Sequence, residues 1–181
     1  MNEDFTRFSE VYDSFLSKIT DDMYMELTVE DTYAILKELL LSAIHKFEFP
    51  RTPLDYEEKT SLLVSEEGEE PSSESFWAFK HKLTDEEINI LATYMIVEWL
   101  GQQLATCENI RMKYSGSDFK FTSQANHMQK ILQQKKDYER EGFHLQRLYK
   151  RRKVDSIGRY RSTMGIIMTP IEHENVIKGG N

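Results

Sequence analysis

The residues best suited to chemistry at neutral pH are five histidines and one cysteine: His45, His81, His127, His144, His173 and Cys107. Zinc sites and metalloprotease centres need such residues paired at short helical or turn spacing. No pair here has that spacing, and His173-Glu174 stands alone. A lone Cys107 excludes an intramolecular disulfide and an all-cysteine zinc site. With no base beside it in sequence to lower its pKa, it reads as a small core residue on a helix. The chain has no glycine-rich phosphate loop and no GxSxG elbow. Its carboxylates lie on helix faces and in the stretch 66–74, where solvation accounts for them. The sequence therefore predicts a non-catalytic protein, with no cofactor and no metal.

Charge is the informative chemistry. Residues 1–80 hold 19 Asp and Glu against 7 Lys and Arg, whereas residues 81–181 hold 12 against 16. Between Arg147 and Arg161 seven bases face one acid, Asp155. Such polarity suits head-to-tail contact between copies or docking on an acidic partner. The plainer reading is a helix end whose cations complement the negative pole of the helix dipole. Tyr149 and Tyr160 interleave the bases, as a nucleic-acid surface would require. The pI near 5.2 and the acidic N-terminal half oppose that use, so sequence-specific DNA binding is not expected.

Four helices must position these groups. Phe5, Phe8, Tyr12, Phe15, Leu16 and Ile19 recur at helical spacing and predict the first. The second starts at an N-cap, Thr28, has Glu30 and Asp31 in its first turn, and buries a face from Ile35 to Phe47. Pro50 and Pro53 are expected to end it. Thr84-Asp85-Glu86-Glu87 is a capping box opening the third, which is apolar almost all round and so predicts the buried centre of the domain. Carried to about Met112 it spans on the order of 40 Å. The turn Ser115–Asp118 leads into a fourth helix from Thr122 or Ser123 to Arg152. Met128, Ile131, Leu132, Tyr138, Leu145, Leu148 and Tyr149 recur inward along it, and Gly142 is its weak point. Between the second and third helices, Ser61–Val64 and Phe76–Phe79 read as two short strands flanking an acidic, Gly- and Pro-punctuated loop at 66–75. Such a hairpin must pack on the helices or on a neighbouring subunit.

The sequence thus predicts a mainly α fold: a bundle of about four helices, two of them long, with a small β-hairpin insertion and an extended C-terminal tail. The expected organisation is a helical domain over 1–153, with the insertion at about 51–83, and a docking tail over 154–181. At 181 residues and 21.4 kDa the chain fits one domain with a substantial core. A hydrophobic fraction of 39% with four Pro and eight Gly excludes collagen-like and low-complexity classes. The longest apolar stretch, Ile90–Leu104, is interrupted by Thr93, Glu98, Gln102 and Gln103, so no bilayer-spanning helix is expected. The opening Met1-Asn2-Glu3-Asp4 is acidic where a signal peptide is basic, and an intracellular protein is expected.

Three segments together resemble the small head–tail connector proteins of tailed bacteriophages. They are Phe15–Asp22 running on to Ala43-Ile44-His45-Lys46-Phe47, Leu83–Ile88 through Tyr94–Leu100, and Ser117–His127. The resemblance covers about residues 12 to 150 and is one of pattern and order; the acidic 66–75 loop departs from it. It implies a structural virion protein of the phage neck. Such an adaptor forms a ring of about twelve copies between the portal protein and the tail or stopper protein. It is made in the host cytoplasm, continues the DNA channel without sequence specificity, and contacts no membrane. The partner-binding residues expected are Arg151, Arg152, Lys153, Arg159, Tyr160 and Arg161, followed by the apolar run Met164, Ile166, Ile167 and Met168. The alternative is a non-catalytic helical regulatory or scaffold domain that binds a partner through its C-terminal tail.

Overall fold

The computed structural model describes residues 4–19, 28–63, 72–113, 121–154 and 160–162. The chain divides into two compact units, residues 1–146 and 147–181.

Unit 1 is mainly helical with a small antiparallel sheet. Strand β1 (Thr6–Arg7) leads directly into helix α1 (Phe8–Leu16), followed by α2 (Val29–Ile44), β2 (Tyr56–Leu63), β3 (Ser72–Phe79), α3 (Asp85–Lys113) and α4 (Phe121–Arg151). The last turns of α4 belong to unit 2. The sheet order is β1-β3-β2, and Phe79 of the central strand opposes Thr6 on one side and Tyr56 on the other.

The expected helix caps are present. Thr28 Oγ1 accepts from the Asp31 N–H at 3.2 Å. At the start of α3, Thr84 Oγ1 accepts from the Glu87 N–H, and Glu87 Oε2 accepts from the Thr84 N–H at 2.9 Å. Each such cap satisfies backbone donors that a helix start leaves over.

Helix α3 is the centre of the unit. Every residue from Ile90 to Val97 is buried, and α1 and α2 pack on this stretch. Phe8, Phe15, Leu36, Leu39 and Leu40 fill the space between, each at most 1% exposed. One face of the sheet closes on the helices: Phe8 meets Phe79, Tyr56 and Trp77 at ring separations of 4.8 to 6.4 Å. Lys37 of α2 sits 3.5 Å over the Trp77 ring. The hairpin is thereby held on its own helices.

The first helix starts later than its aromatic spacing predicts. Thr6 and Arg7 pair with β3 instead, and Phe5 stacks on Phe76 outside the helix. Two tertiary bonds account for the difference: the sheet takes the backbone of Thr6–Arg7, and buried Thr6 Oγ1 accepts from the Leu83 N–H at 2.8 Å. Ile19 likewise falls outside α1. Helix α2 ends at Ile44, well before Pro50. Its last carbonyls close with three-residue turns (Phe47 N–H to Ile44 O, 3.2 Å), while Phe47 remains buried outside the helix. The strands are longer than the two apolar runs suggest, because cross-strand pairing also captures the polar segment Tyr56–Ser61; Val64 lies outside the described residues.

Helices α3 and α4 run antiparallel. The stem of Lys135 lies over Gly101, 3.5 Å from where a Cβ would stand, and the Tyr94 ring lies against Gly142. The two contacts are seven residues apart on each helix, in opposite directions, which is a repeat of two helical turns. No described residue of α3 beyond Leu100 is buried, and between 125 and 141 of α4 only Ile131 is. Leu132, expected inward, is 39% exposed, because a single partner helix covers a narrower stripe than a bundle interior would. Cys107 falls on the same outer part of α3 and is half-buried, not in the core.

Burial has a titration consequence. Burial, with Tyr33 close by, pushes the Tyr12 hydroxyl well above the ordinary tyrosine range. Burial also raises Tyr94, against the hydrogen bond from Gln146, which favours the phenolate. Both phenols keep their protons more tightly in the folded state, so their contribution to stability is complete below pH about 10 and is lost as pH rises further. Lys18 has the opposite sign: burial lowers it from its usual 10.5, partly offset by Glu141, so its contribution grows as pH approaches that value. With two phenols against one ammonium, net stability should fall above pH about 10. Denaturant midpoints taken from pH about 8 to about 11 check this, and Tyr12→Phe should lose less over that range than the parent chain.

Candidate docking surface

Unit 2 holds the residues that the sequence singles out for partner binding. Arg151 ends α4, and Arg152 opens strand β4 (Arg152–Val154); both side chains are exposed, as are those of Arg147 and Lys150. Lys153 lies in β4, and Tyr160 and Arg161 lie in β5 (Tyr160–Ser162). The strands pair antiparallel, with Arg152 opposite Ser162, Lys153 opposite Arg161 and Val154 opposite Tyr160. The structure thus brings two of the predicted cations into register across one ladder. Arg159, Met164, Ile166, Ile167 and Met168 lie outside the described residues.

The unit boundary coincides with a reversal of charge. Residues 147–181 hold eight Lys and Arg against three Asp and Glu, a net of +5. Residues 1–146 hold 15 against 28, a net of −13. The helix end explains part of this, since Lys150 and Arg151 in the last turn of α4 complement its dipole. The bases continue into β4 and β5, beyond the reach of the helix terminus, so the dipole does not account for them all.

A second surface, which periodicity alone misses, belongs to the sheet of unit 1. Strand β2 is an outer strand, and among the described residues nothing pairs with its outer edge. Tyr56 is 40% exposed, and Glu57, Glu58 and Thr60 are exposed. The sheet face turned away from Phe8 carries a row of rings and cations: Arg7 lies 4.5 Å over Phe76, which stacks on Phe5, and Lys59 lies 4.0 Å over Phe5. Lys59 also pairs with Glu57 at 3.5 Å. The only sequence signal for this edge is the polar alternation of Tyr56–Ser61, which lacks the apolar run that marks a strand.

Chemistry-bearing clusters are sparse among the described residues. No group of three His, Cys, Asp or Glu is placed to hold a metal ion. His45, His81, His127 and His144 are each exposed: His45 in the turn after α2, His81 in the loop before α3, and His127 and His144 seventeen residues apart on α4; His173 lies outside the described residues. A cleft of about 200 Å³ opens between α1 and α2, with Tyr12, Asp13 and Leu16 on one wall and Val29, Tyr33 and Leu36 on the other. Ser9 and Thr32 also line it, and its lining includes no histidine, lysine or cysteine. No helix of the described residues is long and apolar enough to cross a membrane. The chain matches none of the protein-family models, curated proteins or solved structures with which it was compared.

Proposed function

We propose that this chain is a structural protein of the neck of a tailed bacteriophage, a connector that forms a ring between the portal protein and the tail or stopper protein. The observation that carries this reading is the pairing of two compact units of opposite charge, −13 and +5, in one chain. Such a subunit makes two different complementary surfaces available to its neighbours, and heterologous contacts of that kind close into rings when the rotation permits. The helical body with its hairpin insertion fits the part, because its packed core gives the acidic unit a defined surface. An acidic body beside a DNA channel would let the duplex pass without sticking, through like-charge repulsion. On this reading the chain performs no catalytic step and carries no cofactor, and the basic end, with the apolar run Met164–Met168, meets the portal or an adjacent subunit.

Quantitative mass spectrometry of purified particles of a phage encoding this chain tests the reading. The expected result is a low, fixed copy number relative to the major capsid protein. Absence from intact particles would sink the proposal.

A further inference from the structure

We infer that the basic β4–β5 ladder of one copy docks on the outer edge of β2 in a second copy, a head-to-tail contact to which each copy contributes two different surfaces. The inference deepens the neck reading and rests on it for closure into a ring.

Three observations carry it. First, β2 offers an eight-residue outer edge with which no strand pairs among the described residues, and along such an edge alternate N–H and C=O groups face outward. Two carboxylates, Glu57 and Glu58, are exposed on it. Second, the β4–β5 ladder has only three residue pairs, and its register sets Lys153 opposite Arg161. A two-stranded ladder of this length is marginal alone. A third strand bearing carboxylates would extend the ladder and bring opposite charge to a segment rich in cations. Third, the units that carry these strands have net charges of −13 and +5, so the contact joins parts of opposite charge. Nucleic acid would also satisfy the cations, but the −13 unit repels a polyanion, whereas a second copy brings the complementary charge with it.

The test uses the full chain. Sedimentation velocity at 0.15 M salt should show concentration-dependent species beyond a dimer, weakening near 1 M salt, where the screening length falls to about 3 Å. Glu57→Lys with Glu58→Lys, and separately Lys153→Glu with Arg161→Glu, should each weaken association about tenfold or more, with unchanged circular dichroism. Mixing the two variants should restore association beyond the dimer, because the intact ladder of one meets the intact edge of the other and the two reversed surfaces are again of opposite charge. A covalent check does not depend on charge reversal. In a Cys107→Ser background, a Glu58→Cys chain oxidised with an Arg161→Cys chain should give the mixed disulfide dimer.

A chain that stays monomeric at every concentration overturns the inference, as does association indifferent to both charge pairs. Salt-sensitive binding of a duplex oligonucleotide by a monomer would overturn it in favour of a polyanion partner. Failure here is separable from failure of the neck reading. Presence in virions without this self-association removes the contact alone, and self-association without presence in virions removes the neck assignment alone.

Discussion

Gly142→Ala should destabilise the protein by about 1–2 kcal/mol, although alanine is worth about 1 kcal/mol more than glycine within a helix. A Cβ at this position would stand 2.9 Å from Tyr94 Cζ and 3.0 Å from Cε1, closer than carbon atoms pack. The ring has little room to yield: Tyr94 is 6% exposed, and its hydroxyl is engaged by Gln146. The clash must therefore separate α3 from α4 or push the ring off its rotamer, and overpacking of this kind costs about 1–3 kcal/mol beyond the propensity gained. Gly142→Leu should cost more, about 3 kcal/mol. The diagnostic measurement is a double-mutant cycle by chemical denaturation. With Tyr94→Leu already present, Gly142→Ala should become neutral or stabilising. Stabilisation by Gly142→Ala in the parent chain would show that the two helices do not meet at this point.

Gln146→Leu should cost about 3–4 kcal/mol, because one side chain satisfies three partners at once. Its Oε1 accepts from the Glu48 N–H at 2.8 Å, and its Nε2 donates to Lys46 O at 3.0 Å and to the Tyr94 hydroxyl. Gln146 is 1% exposed, so the partners left behind would not regain water easily. These bonds join the chain just after α2 to α3 and α4, and the Lys46–Glu98 ion pair spans the first two of those elements alongside. The variant should unfold at lower denaturant, and amide exchange at Glu48 should accelerate more than exchange at the centre of α3. The Tyr94 phenol supplies an independent readout. Loss of the Gln146 donor, which favours the phenolate, should move its ionisation to still higher pH, as followed by ultraviolet absorbance. An unchanged Tyr94 titration with full stability would exclude this network.

Much of the candidate surface was legible before folding, and part of it was not. The basic run from Arg147 to Arg161 is visible in the order of residues, and so is its contrast with the acidic first half. That Lys153 opposes Arg161 is a matter of register between strands, which no count of charges contains. The β2 edge was harder still to see, since Tyr56–Ser61 is polar and becomes strand only by pairing with β3. Gly142 looks like a defect of α4 when propensity is the only guide, yet it is where the Tyr94 ring of α3 lies against the α4 backbone.

By itself, then, the sequence determined the helical class, the capped starts of α2 and α3, the burial of α3 along its apolar stretch, and the polarity of charge. Each depends on residues within a turn or two of one another, or on composition summed along the chain. Tertiary structure decided where α1 begins, where α2 ends, which side of α4 faces solvent and which strand edge stays open. Those choices depend on backbone and side-chain partners some 70 to 100 residues away, such as Thr6 with Leu83 and Lys46 with Gln146. Local periodicity carries no record of partners so distant, because what a backbone group bonds to is settled only when the elements pack.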